Sequence, residues 1–155
     1  MTDRLPPTGD RSSAAVAVLP RTSYASWASR VLARAIDMVP VGVAIGITWG
    51  VQSGADAALA TATVLLVVLA TLAYGVWNFG HRQGITGSSL GKSIVRIRVV
   101  SEITWEPIGF KLSLLRQLAH VIDAAVCYVG YLFPLWDPKR QTIADKIMTT
   151  VCVPL

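Results

Sequence analysis

Two long apolar stretches dominate the pattern of hydrophobic and polar positions along the chain. The first runs from about residue 31 to 51, and its uncharged part, residues 38–55, is 18 residues long. The second runs from about residue 57 to 79, and residues 57–80 carry no charged side chain. A helix needs about 20 apolar residues to cross the hydrocarbon core of a bilayer. The pattern therefore predicts two transmembrane helices joined by a short acidic loop.

A third apolar segment, residues 110–136, is long enough to span a membrane but carries charges in its first half. Its uncharged remainder, residues 124–136, has only 13 residues, and runs of about 10–14 are more typical of interfacial or re-entrant segments. Lys139 and Arg140 follow directly, and a single crossing would leave them outside, against the positive-inside rule. We expect a re-entrant or interfacial helix at about residues 111–136, with a single third crossing as the alternative.

Apolar and basic side chains alternate at residues 94–100, where β-branched residues flank Arg96 and Arg98. This period-2 pattern predicts a strand. Residues 149–153 have a similar composition and are a natural partner. Because pairing requires both strands on one side of the membrane, we predict a small cytoplasmic strand pair and a cytoplasmic C-terminus.

Residues 1–23 contain three prolines among small polar residues and predict a disordered tail before a membrane domain at residues 24–155. The tail lacks the apolar core of a secretory signal peptide, so we expect the first apolar helix to act as an uncleaved anchor. Tyr24 and Trp27 precede that helix, where paired aromatic residues usually anchor a span at the interface.

Composition favours a membrane protein over a nucleic-acid-binding one. Of the 155 residues, 53% are hydrophobic and 15% are charged, against about 25% charged in a typical soluble domain. The mean hydropathy is +0.53. The net charge of +5 comes from basic residues that flank the apolar stretches, while the loop at residues 52–56 has none. The positive-inside rule then places the N-terminus and residues 81–111 in the cytoplasm.

A charged motif occurs twice. Residues 30–37 and 116–123 share five of eight positions, and helical spacing places the charges of each copy on one face. The residues considered as an intramembrane charge network or ion path are Arg30, Asp37, Arg116, His120 and Asp123. Charges at bilayer depth cost about 2.5–3.5 kcal/mol each on insertion scales, so they need partners. The simplest arrangement pairs Arg30 with Asp123 and Arg116 with Asp37.

Other patterns give little support for catalysis or for a bound cofactor. Residues 84–93 resemble a phosphate loop, but that loop needs glycine at the position of Thr86. Cys127 and Cys152 lack metal-ligand spacing and are interpreted as small buried hydrophobic residues. We therefore predict a protein that is not an enzyme and that binds no nucleotide, metal ion or other cofactor.

Three motif blocks follow one another along the chain at residues 27–37, 87–92 and 136–146. Together they resemble the RDD family of small bacterial integral membrane proteins, which is named for one arginine and two aspartates. The resemblance covers about residues 24–153. It implies a multi-pass protein of the bacterial cell membrane, and some members are linked to sodium–proton exchange.

The family motif maps its arginine onto Arg30 and its first aspartate onto Asp37. Three residues remain candidates for its second aspartate: Asp123, Asp137 and Asp145. The family often has histidine where this chain has Ala144, so a role that rests on that histidine does not carry over.

Two hypotheses of different classes fit these charges. In the first, the protein is a cation/proton exchanger or a transport component, in which Asp37 exchanges a proton for a cation and His120 with Asp123 relays the proton. In the second, it is a non-transporting scaffold or accessory protein that binds a partner protein or lipid through its cytoplasmic face. A row of small residues in the first helix, which lets helices approach closely, predicts a homo-oligomer. The members of this row are Gly42, Gly46 and Gly50.

Overall fold

The computed structural model describes residues 19–125 and 129–155. Most of the predicted tail, residues 1–18, and Cys127 lie outside these described residues. Arg21–Ser23 form a turn of 3-10 helix, and Leu19 packs against a core cluster. The described residues 19–23 therefore already have a defined structure before the predicted boundary at residue 24.

The described residues form two long helices, a series of short ones and one pair of strands. In chain order the elements are α1 (Trp27–Gln52), α2 (Ala57–Gly75), a π-helical segment (Val76–Arg82), α3 (Gln83–Thr86), α4 (Leu90–Ile94), β1 (Ile97–Ser101), α5 (Gly109–Ala125), α6 (Val129–Leu132), α7 (Ile143–Ile147) and β2 (Thr150–Pro154). Helices α1 and α2 form a hairpin. The elements from α3 to β2 form a cap at the end of the hairpin where α1 begins and α2 ends.

The hairpin contains two helical stretches that are long and apolar enough to cross a membrane, Arg21–Gln52 and Ala57–Thr86. Large apolar side chains on their surface remain exposed; Trp49 is 76% exposed and Leu66 is 67% exposed. Contiguous apolar surface of this kind is rare on soluble monomers and is typical of a surface that contacts lipid. Both predicted helices are therefore present, with the length and apolar character that a membrane span needs. α1 begins where Ser26 caps it through the Ser29 amide.

The second helical stretch extends beyond residue 79, where the hydropathy pattern predicts its end. It continues through the π-helical segment and α3 and ends at Gly87, which has a φ of 77°. The polar residues Asn78 and Gln83 lie on either side of the predicted end and are fully buried. Their polarity therefore marks contact with the cap and not the end of the helix.

The predicted strand pair is confirmed, with shifted bounds. β1 and β2 pair antiparallel, and Val99 lies opposite Cys152. Residue 94 ends helix α4 and does not begin the strand, because Ser89 caps a short helix that runs from residue 90 to residue 94. Arg96 then takes a φ of 59° and separates helix from strand.

Both faces of the strand pair are buried. One face packs Ile97, Val99 and Cys152 on residues around the start of α1. The other face forms a second core cluster of buried residues, Tyr24, Val100, Val151 and Val153. Tyr24 is therefore a core residue and not the predicted interfacial anchor. Its predicted partner Trp27 is half-buried and donates its indole N–H to the carbonyl oxygen of Tyr131 at 2.9 Å.

The third apolar segment is helical on both sides of residues 126–128. α5 begins at residue 109, two residues earlier than predicted, and is followed on the far side of residues 126–128 by the short helix α6 and a 3-10 turn at Phe133–Leu135. Among the described residues, neither α5 nor α6 is long and apolar enough to count as a membrane span. α5 packs against the π-helical segment, α3 and α7.

Candidate functional site

Asp37 lies on α1 and is 1% exposed. Its Oδ1 accepts hydrogen bonds from Nδ2 of Asn78 at 2.9 Å and from the backbone amide of Gly91 at 2.7 Å. Its Oδ2 accepts from the hydroxyl of Ser89 at 2.5 Å. The carboxylate therefore joins three separate segments, α1, the π-helical segment and the start of α4, and it does so through neutral donors.

Gly91 is required for this arrangement. A Cβ atom on Gly91 would lie 1.9 Å from the carbonyl oxygen of Ala33 and 3.0 Å from Cγ of Asp37. The block that resembles a phosphate loop is thus a helix start that docks on α1. Ser89 has two roles. Its hydroxyl donates to Asp37, and its Oγ also accepts from the backbone amide of Lys92 as the N-cap of α4.

Asn78 is a site residue that the sequence pattern does not single out. Besides its bond to Asp37, its Oδ1 accepts from the backbone amide of Leu90 at 2.8 Å. It lies in the π-helical segment, and π-helical turns occur often at functional positions. The sequence feature that could have identified it is a single asparagine in a stretch of aromatic and small residues.

Asp145 is the centre of the ion-pair cluster. Its Oδ2 accepts from Nη1 of Arg30 at 2.7 Å, and its Oδ1 accepts from Nε of Arg116 at 2.8 Å. It also completes a capping box with Thr142 at the start of α7. Burial alone would raise the pKa of Asp145, but the Arg116 and Arg30 guanidinium groups hold it well below its usual range.

The pairing predicted from the repeat, Arg30 with Asp123 and Arg116 with Asp37, is wrong. Both arginines bind Asp145 instead. The chain returns after α6 and inserts the start of α7 between α1 and α5, so the carboxylate that meets the arginines comes from outside both copies of the repeat. Of the candidates for the second family aspartate, Asp145 is the one that contacts Arg30.

Asp123 forms a separate cluster with His120. Nδ1 of His120 lies 2.6 Å from Oδ2 of Asp123, and Oδ1 of Asp123 accepts from the backbone amide of Ala144 at 3.2 Å. A Cβ on Gly130 would lie 2.3 Å from Oδ1 of Asp123, so glycine is needed there. His120 also stacks on the Tyr131 ring, with 5.6 Å between ring centroids.

Asp137 stabilises a turn. Its Oδ2 accepts from the backbone amides of Lys139 and Gln141, both at 3.0 Å, and its Oδ1 lies 2.6 Å from Nζ of Lys146. Burial would raise the pKa of Asp137, but these backbone amides and the Lys146 ammonium lower it. This cluster is distinct from those of Asp37 and Asp123.

A cavity of about 830 Å³ lies between the hairpin and α5. Four of the residues predicted for the charge network line it: Arg30, Asp37, Arg116 and His120. The predicted glycine row of α1 lies elsewhere, on the exposed surface, and no heavy atom lies within 4 Å of a Cβ built on any of its members.

The model of the RDD family matches residues 24–149. The proline-rich antigen homologue of Mycobacterium tuberculosis is 46% identical, over 91% of this chain and 68% of that protein, in two strains. The proline-rich antigen of Mycobacterium leprae is 45% identical, over 91% of this chain and 65% of that protein. No solved structure matches the chain.

Proposed function

This chain belongs to the RDD family, and on that premise we propose that it is a non-transporting scaffold or accessory protein of the bacterial cell membrane. Its buried charges would fasten the cap to the membrane hairpin, and its ligand would be a lipid or a partner membrane protein. The observation that carries this proposal is that three buried carboxylates, Asp37, Asp123 and Asp145, each accept a hydrogen bond from a donor on another segment.

A cation site needs oxygen ligands that can turn toward the ion. Both oxygens of Asp37 already accept hydrogen bonds, and both oxygens of Asp145 are bound by arginine. The charged side chains that line the cavity beside them are mainly cationic, and they repel a metal cation. These features favour a structural role for the charges.

The proposed topology is multi-pass with both termini in the cytoplasm. β1 precedes α5 and β2 follows α6, and the two strands pair. That pairing supports an interfacial or re-entrant path for α5 and α6 over a third crossing. The acidic turn between α1 and α2, with Asp56 as the N-cap of α2, would face outside, in agreement with the charge rule.

Cation/proton exchange is the second candidate, and one observation favours it. His120 lines the cavity and contacts Asp123 at 2.6 Å, which places a titratable pair at the edge of a large space. Such a pair could pass a proton. Exchange would still require side chains that bind the cation. A neighbouring copy in a homo-oligomer formed through Gly42, Gly46 and Gly50 would be one source of such side chains.

The experiment that separates the two candidates is cation-driven proton movement in vesicles that contain the purified full chain. A pH-sensitive dye inside the vesicles reports proton flux when sodium or potassium is added. The scaffold role predicts the same trace as empty vesicles, for wild type and for Asp37→Asn and His120→Gln. A cation-dependent signal that either variant abolishes would contradict the scaffold role and establish exchange.

A further inference from the structure

The cavity beside the ion-pair cluster is strongly cationic on one side. The cationic side chains that line it are Arg30, Arg34, Lys92 and Arg116. Of the described residues around the cavity, Asp37 is the one carboxylate, and its oxygens already accept three hydrogen bonds. The lining therefore offers hydrogen-bond donors and positive charge to a bound group, and few free acceptors.

Arg30 has donors that nothing in the described chain satisfies. Its Nη1 binds Asp145, but its Nε and Nη2 are buried without a hydrogen-bond partner among the described residues. A buried donor without an acceptor costs free energy. An acceptor in the cavity would remove that cost.

Arg34 and Lys92 add to the positive charge. The guanidinium carbon of Arg34 lies 4.7 Å from the centre of the Phe79 ring, and within the described part of the chain Arg34 forms no ion pair. The ammonium of Lys92 donates to Oε1 of Gln83, a neutral acceptor. Neither cation is neutralised by a carboxylate contact, so both are available to an anion.

The remaining wall of the cavity is apolar and open to the surface of the hairpin. Leu72 and Val76 on the hairpin side and Val121 on α5 line the cavity and yet remain 61%, 46% and 64% exposed. In a spanning helix this surface contacts hydrocarbon. The cavity is thus continuous with the space that acyl chains occupy.

We propose that this cavity binds an anionic phospholipid, with the headgroup phosphate at Arg30, Arg34 and Lys92 and an acyl chain between α2 and α5. Arginine suits phosphate because its planar donors match two phosphate oxygens, and basic pockets between membrane helices bind lipid headgroups. The proposal rests on the scaffold role above and names its ligand class. The continuous apolar wall favours a lipid over free phosphate.

Binding should weaken as the pH rises above neutrality. Burial and the nearby Arg116 lower the pKa of Lys92 to about 7, while the Asp37 and Asp145 carboxylates oppose that shift. In the empty site Lys92 therefore loses its charge as the pH passes about 7. A phosphate favours the charged ammonium, so affinity is higher at pH 6 than at pH 9.

The test measures lipid bound to the full chain by native mass spectrometry from nanodiscs that contain phosphatidylglycerol and phosphatidylcholine. Wild type should retain phosphatidylglycerol in preference to phosphatidylcholine. Arg34→Gln removes an exposed cavity charge, and Gly75→Phe fills the apolar side, where no heavy atom lies within 4 Å of a Cβ on Gly75. Each should weaken retention about tenfold. The control is Arg96→Gln, an exposed arginine outside the cavity, which should retain wild-type binding.

Equal retention of both lipids, or unchanged retention in both cavity variants, would overturn the proposal. Competition by inorganic phosphate with no effect of Gly75→Phe would also overturn it, in favour of a free anion. Proton flux in the same preparations keeps the two proposals distinguishable. Flux together with cavity-dependent lipid retention would contradict the scaffold role and leave the lipid site standing. Absence of both would contradict the lipid site and leave the scaffold role standing.

Discussion

Two buried aspartates in this protein are stabilised in different ways. Asp37 accepts hydrogen bonds from an amide side chain, a hydroxyl and a backbone N–H group. Asp145 meets two guanidinium groups. Breaking a buried ion pair leaves a charge without compensation, whereas a hydrogen-bonded carboxylate depends on close backbone approach. The two sites should therefore respond to different substitutions.

Gly91→Ala should destabilise the fold, because the new Cβ would meet the Ala33 carbonyl oxygen and push α4 away from Asp37. We expect the free energy of unfolding to fall by about 1–3 kcal/mol, the usual cost of overpacking. Unfolding in mixed micelles, followed by tryptophan fluorescence, measures it. Gly42→Ala is the matched control, since nothing lies near its Cβ, and it should be neutral or stabilising. Equal effects of the two changes would contradict the docking role of Gly91.

The low pKa of Asp145 makes stability depend on pH. In the unfolded chain this carboxyl takes its ordinary pKa of about 3.9, while in the folded protein the pKa lies well below that. The stabilisation is therefore complete above the unfolded pKa and is lost as the pH falls below about 4. Asp137, whose pKa is also lowered, acts in the same direction.

Unfolding measured between pH 6 and pH 2.5 should show a steep loss of stability at the acidic end. Asp145→Asn should start from lower stability and show a flatter decline, because asparagine, unlike the Asp145 carboxylate, takes up no proton when the chain unfolds. An unchanged acid profile in Asp145→Asn would show that the ion pairs do not hold the folded state.

At the scale of elements, sequence periodicity predicts the long helices and the strand pair, and fails at the short helices. Two apolar runs and one alternating run are strong signals, since burial in lipid or in a sheet repeats regularly along them. α4 and α7 span five residues each, too few for a periodic pattern. Their starts are visible as Ser89 and Thr142 caps, but a cap alone does not say where the helix docks.

The charge repeat indicates which residues need partners and does not identify those partners. Residues 30–37 and 116–123 each carry a charged face, and the structure brings both faces toward one region. Their shared partner, Asp145, comes from α7, whose position depends on the return of the chain after α6. Local sequence does not encode that long-range contact, and Asn78 was missed for the same reason.

At the scale of the whole molecule, the account predicts that the cap and both termini lie on one side of the membrane. Single cysteines at Gly54, in the α1–α2 turn, and at Thr104, in the β1–α5 turn, both replace exposed residues. In a chain without its native cysteines, an impermeant thiol reagent added to whole cells should label Gly54→Cys without further treatment. It should label Thr104→Cys only after the cells are permeabilised. Labelling of both in intact cells would contradict the topology.

The central claim is that Asp145 fastens α1 to the cap through Arg30 and joins α7 to α5 within the cap through Arg116. A double-mutant cycle with Asp145→Asn, Arg116→Gln and the double variant tests it most directly, read as unfolding free energies in mixed micelles. Each single change should cost about 3–5 kcal/mol, and the double variant should cost clearly less than their sum. Glu106→Gln, at an exposed carboxylate, should change little. Additive single effects, or an Asp145→Asn variant as stable as wild type, would contradict the account.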